Sequence, residues 1–122
     1  MIPLETQEQF ETLIKTTDLE KPNPEEIVIY FTASWCRPCS RLDWTKILEQ
    51  TSSKIVWYKC DVDVNDYTLG YCFPPDQRKM PSFVCIKNST VSDKFNTSDT
   101  DLVISKVNAV FQRSALVAKE ST

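Results

Sequence analysis

The 122-residue sequence has no histidine and a single glycine, Gly70. Without imidazole, Cys–His nucleophile pairs and the histidine-containing zinc sites are excluded. With one glycine, neither the G-x-G-x-x-G turn nor the P-loop phosphate cradle can be built. Long hydrophobic runs are also missing: none approaches the ~20 residues that cross a bilayer, and no membrane association is expected. Nor is positive charge in excess. Fourteen Lys and Arg against seventeen Asp and Glu give a net charge of −3, which argues against a nucleic-acid surface. The opening "MIPLETQEQFE" turns polar after four residues, so a secretory signal is not expected and a reducing, cytoplasmic setting is. In that setting the N-x-S/T triplets at Asn88 and Asn96 stay unmodified.

What is present suits one globular domain spanning residues 1–122: 41% hydrophobic residues, 25% charged, and no repeat or low-complexity tract. Thr6, with Gln9 three residues on, forms a capping box for a first helix carrying Phe10, Leu13 and Ile14 on one stripe. "LEKPNPEE" (19–26) reads as a proline-broken loop. "IVIYFTA" (27–33) is apolar and β-branched throughout, as a strand covered on both faces must be. A helix is expected over 37–51 with Leu42, Ile47 and Leu48 inward, and a second strand over 54–62. A loop-rich segment follows. "PSFVCIK" and "VSDKFN" then make a hairpin turning at Asn88-Ser89, and Ser98 caps a last helix whose inner face holds Val103, Val107, Val110 and Phe111. A short strand is expected at residues 2–4. This alternation indicates an α/β fold, a central mixed sheet of four to five strands with helices on both faces.

Five cysteines is an odd number, a poor match to a secreted disulfide framework. Cys36 and Cys39 lie in "WCRPC" (35–39), where the first strand gives way to a helix. Unpaired N–H groups at a helix start stabilise a thiolate, Arg37 adds positive charge, and Pro38 suits the first turn. Cys39, one turn on, can reach back, so the pair can attack a disulfide and resolve the mixed disulfide internally. The other reading of a C-x-x-C is half a zinc site, for which Cys60, Cys72 and Cys85 offer no second pair. "DVDVND" (61–66) has Asp66 at the glycine position of a calcium loop and reads as a strand end instead. Cys60 and Cys85 are expected in the core; Cys72, in a proline-bounded irregular stretch, is expected to be exposed.

"FTASWCRPC" (31–39), "KCDVDVND" (59–66), "MPSF" (80–83) and the final amphipathic helix together resemble the thioredoxin family, whose usual active site is W-C-G-P-C. The resemblance implies the thioredoxin fold, a nucleophilic Cys36, a resolving Cys39, a cis Pro81 facing them, and a substrate surface that includes Trp35 and Met80. It implies reduction of disulfides in client proteins with no bound cofactor, and electrons from an NADPH-dependent thioredoxin reductase. Tyr30 stands where the family has a buried acid, and Lys59 matches the lysine that accompanies it. With Arg37 and Pro38 they are the candidates for tuning the thiols. Trp44 replaces a helix-kinking proline; Lys79 and Thr97 replace glycines beside the substrate groove. Cys72 falls where related proteins carry regulatory thiols, so the expected monomer has a Cys72-linked dimer as its alternative. The competing functions are a disulfide oxidase or isomerase, and a binding module that keeps the fold as a scaffold.

Overall fold

The computed structural model describes residues 1–15 and 23–111. In chain order it contains β1 (Ile2–Pro3), α1 (Gln7–Leu13), β2 (Glu26–Thr32), a 3-10 turn (Pro38–Arg41) and α2 (Trp44–Gln50). There follow β3 (Val56–Asp61), α3 (Asp66–Cys72), a second 3-10 turn (Pro75–Gln77), β4 (Ser82–Lys87), β5 (Thr90–Asn96) and α4 (Thr100–Phe111). The first four residues of the 19–26 loop lie outside the described residues. The strands form one five-stranded sheet in the order β1-β3-β2-β4-β5. Neighbours β1, β3 and β2 run parallel, while β4 is antiparallel to β2 and β5 to β4.

β2 sits in the middle because its sequence leaves it no polar face. With a side-chain period of two, Val28 and Tyr30 enter one core cluster and Ile27, Ile29 and Phe31 the other. The first cluster is closed by Ile47 of α2 and by Val103, Ile104, Val107 and Phe111 of α4. The second is closed by Phe10 and Leu13 of α1 and Leu69 and Cys72 of α3. Each fully buried large side chain here, Phe31 or Phe83 for example, contributes about 2–3 kcal/mol from removal of apolar area. The expected capping box is present: Thr6 Oγ1 accepts from the Gln9 N–H at 3.1 Å and Gln9 Oε1 from the Thr6 N–H at 3.0 Å. The hairpin turns where expected, with positive φ at Asn88 (51°) and Ser89 (64°).

Several expectations fail, each for a physical reason. The helix over 37–51 is two pieces. In a continuous helix the Asp43 N–H would bond Cys39 O; instead it donates to Thr100 Oγ1 at the start of α4, 2.9 Å away. Leu42 then becomes extended, and the Asp43 carboxylate caps α2 by accepting from the Lys46 N–H at 3.1 Å. The change of phase leaves Leu42 and Ile47 inward but Leu48 exposed. The loop-rich segment holds a helix, α3, capped by Asn65, whose Oδ1 accepts from the Thr68 N–H at 3.3 Å. Asp99, not Ser98, caps α4: its Oδ1 accepts from the Asp101 and Leu102 N–H groups at 3.0 and 3.3 Å. A carboxylate also complements the helix dipole better than a hydroxyl.

Cys72 is the correction with the widest consequence. It closes α3, and its side chain is turned into the second cluster at 4% exposure. The sulfur is not presented at the surface, so the disulfide-linked dimer loses its basis. Burial pushes the thiols of Cys72 up to about 11 and of Cys60 and Cys85 up to about 12. In the unfolded chain they would ionise near 8.5. Above that value the unfolded state releases protons that the folded state keeps, so stability falls as pH rises toward 11–12. The urea midpoint should therefore drop between pH 8 and pH 10.5, and drop less in Cys85→Ala. Equal pH slopes in the two proteins would contradict the assignment.

Candidate active site

β2 ends at Thr32, and the chain turns sharply: the Cys36 N–H donates to Ala33 O at 3.0 Å. Pro38 then opens the 3-10 turn, with Arg37 as the preceding cap residue. This turn brings the Cα atoms of Cys36 and Cys39 to 5.5 Å, and the two sulfurs are joined as a disulfide. Cys36 is half-buried and Cys39 buried. The Cys39 N–H points at Cys36 Sγ, 3.1 Å away. A donor so placed stabilises negative charge on that sulfur once the pair is reduced. The helix start expected to do this is only one 3-10 turn long, so its dipole is small; the aimed N–H is the donor at the sulfur, and the Arg37 side chain is exposed.

The other candidates arrive from different parts of the chain. The β2–β4 register pairs Phe31 with Ser82, which sets the Met80–Pro81 segment beside the end of β2, where the cysteine turn begins. The Met80–Pro81 peptide is cis, as expected. Met80 and Cys36 pack against the same cluster that contains Cys39 and Tyr30. Tyr30 is buried, edge-on to Trp44 (centroids 4.8 Å apart) and stacked on Phe83 (5.5 Å). Burial raises its phenol above the usual 10, with Thr32 and Trp44 contacts acting in the opposite sense.

Trp35 is 63% exposed. Its indole N–H donates to Asp63 Oδ1 at 3.3 Å, and the Ser34 hydroxyl donates to Asp63 Oδ2 at 3.4 Å. Sequence reasoning missed Asp63, having read it as one acid in a strand end; only the fold brings it to Trp35. Lys59 is not an inward partner of Tyr30. It is in register with Tyr30 on one side and Pro3 on the other, yet its side chain is exposed, beside Pro3, Glu5, Asp61 and Val64. Cys72 belongs to the cluster on the opposite face of β2 from Cys39, so it takes no part in this site. Among the described residues no three metal-ligating side chains converge, and no helix is long and apolar enough to cross a membrane.

Comparison with known proteins gives this geometry its context. The thioredoxin family model matches residues 2–109. A thioredoxin of Ictalurus punctatus is 30% identical over 95 residues, 74% of this chain and 84% of the relative. The X-ray structure of Fasciola hepatica thioredoxin aligns with a TM-score of 0.69 at 26% identity, covering 89% of this chain and 98% of that one. Oxidised mitochondrial thioredoxin 3 from Saccharomyces cerevisiae aligns with a TM-score of 0.72 at 23% identity, over 89% and 94% of the two chains. A paired C-x-x-C on this fold performs thiol–disulfide exchange, and the chain belongs to the thioredoxin family of thiol–disulfide oxidoreductases.

Proposed function

We propose that the chain reduces disulfides in client proteins, with Cys36 as nucleophile and Cys39 as resolving thiol. The observation that carries this reading is the unequal burial of one bonded pair. Cys36 is within reach of solvent and Cys39 is covered. In the reduced protein the Cys36 thiolate attacks one client sulfur, forming a mixed disulfide while the other client sulfur leaves as a thiolate. Cys39 then loses its proton and attacks Cys36 Sγ. The Cys36–Cys39 bond forms, the second client thiolate is released, and two electrons have moved to the client. Trp35, Met80 and Pro81 form the client-facing surface. Arg37 and Pro38 tune the pair through charge and turn geometry. We assign the working unit as a monomer, one domain over residues 1–122, in a reducing compartment such as the cytoplasm, recharged by an NADPH-dependent thioredoxin reductase. Cys39→Ser should leave a mixed disulfide with a client that survives on a non-reducing gel, and Cys36→Ser should not. Adducts formed through Cys39 would reverse the assignment.

Tyr30 sets the pace. It occupies the position of the family's buried acid, and a phenol raised above 10 stays neutral near pH 7 and is a poor base. With no carboxylate there, the Cys36 thiolate forms more readily, because a like charge no longer opposes it. Attack is eased while deprotonation of buried Cys39 is slowed, so resolution limits turnover. Tyr30→Asp should shorten the mixed-disulfide lifetime about a hundredfold, the low end of general-base contributions. Tyr30→Phe keeps the ring contacts and should leave the lifetime unchanged. If Tyr30→Asp folds and resolves no faster, Tyr30 is packing only. The same lack of a carboxylate, with Arg37 unpaired among the described residues, favours a second reading, an oxidising or isomerising exchanger.

A further inference from the structure

The segment leading to Met80 is tied down at both ends by side chains rather than by the sheet. At its start, Lys94 Nζ donates to Cys72 O at 2.6 Å and Arg78 Nε to Phe73 O at 2.9 Å. At its end, the β4–β5 ladder stops at the pair Ser82–Asn96. There the Asn96 side chain takes over. Its Nδ2 lies 2.6 Å from Pro81 O and 2.9 Å from Lys79 O, with Ser82 Oγ at 3.4 Å. The Ser82 hydroxyl donates to Lys79 O as well. The two short contacts use both N–H bonds of the amide on the carbonyls either side of Met80. Among the described residues, Met80's own N–H and C=O have no hydrogen-bond partner.

We propose that Asn96 is a positioning residue for client binding: its amide holds the Lys79 and Pro81 carbonyls and so presents the Met80 N–H and C=O in a fixed, extended geometry. The occupant is an extended client segment next to its disulfide, added as a strand through main-chain hydrogen bonds. A segment already held in place loses less freedom on docking, and that saving appears in affinity rather than in the chemical step. The residue type matters. Aspartate has the same shape but no donor, and its charge would face three oxygens. The inference rests on the reading of Met80 as client-facing.

The test is steady-state reduction of insulin and of hydroxyethyl disulfide, which has no peptide groups to pair, by full-length protein recharged with dithiothreitol. In Asn96→Asp and Asn96→Ala the KM for insulin should rise about fivefold with kcat within about twofold, and kcat/KM for hydroxyethyl disulfide should fall by less than about twofold. Asn96→Ala keeps the experiment readable if Asn96→Asp does not fold. An unchanged insulin KM, or equal losses on both substrates, overturns the proposal. Met80→Pro, which lacks the N–H, separates the two levels of failure. If it also leaves the insulin KM unchanged, client docking at Met80 is wrong; if it raises the KM while the Asn96 variants do not, only the Asn96 assignment is wrong.

Discussion

Residues 27–32 of β2 are withdrawn from water on both faces, and the placement of the cysteine pair follows from that burial. A strand with no polar side must lie between two layers of helices, which fixes it at the centre of the sheet. Its end is then a fixed point. The turn after Thr32 delivers Cys36 to the rim and Cys39 into the first core cluster. The antiparallel register with β4 brings Met80 and Pro81 to the same end. Slipping that register by one residue would send Tyr30 and Phe83 to the wrong faces, so core packing and site geometry are enforced together.

The site does without histidine by dividing its work among groups of other kinds. A backbone N–H aimed at Cys36 Sγ supports the thiolate. Cys39 is buried, and under the proposed mechanism it acts only once the mixed disulfide brings a target sulfur within reach. Tyr30, Trp44, Trp57 and Phe83 form an aromatic group in the core cluster that also takes in Cys39. A neutral, well-packed cluster of this kind avoids the desolvation that an unpaired carboxylate would suffer, at the expense of a base. Under the proposed mechanism this eases the initial attack and slows resolution.

What could be read from the sequence was whatever short-range pattern specifies. The all-apolar β2, the Thr6–Gln9 box, the Asn88-Ser89 hairpin turn and the C-x-x-C at a strand end are written locally and came out as expected. What escaped depends on partners far along the chain. The break at Leu42–Asp43 needs Thr100, Lys59 meets its neighbours Pro3 and Glu5 only through the β1–β3 pairing, and Asp63 gains meaning only beside Trp35. α3 was hidden because "DYTLGYC" carries a glycine and precedes two prolines, which read as loop signals; Asn65 capping and the burial of Leu69 and Cys72 outweigh them. Once α3 is recognised, the burial of Cys72 follows.

Whether this arrangement makes a reductase or an oxidising exchanger is decided by one number, the redox potential of the Cys36–Cys39 couple in the full-length protein, equilibrated in glutathione buffers and read by thiol-specific mass labelling. A reductase of client disulfides requires a value below about −230 mV, on the reducing side of the glutaredoxins. A value above about −180 mV, the range of disulfide isomerase, would contradict the reductase assignment and establish that the aimed N–H, Arg37 and the missing carboxylate stabilise the thiolate enough to reverse the direction of electron flow.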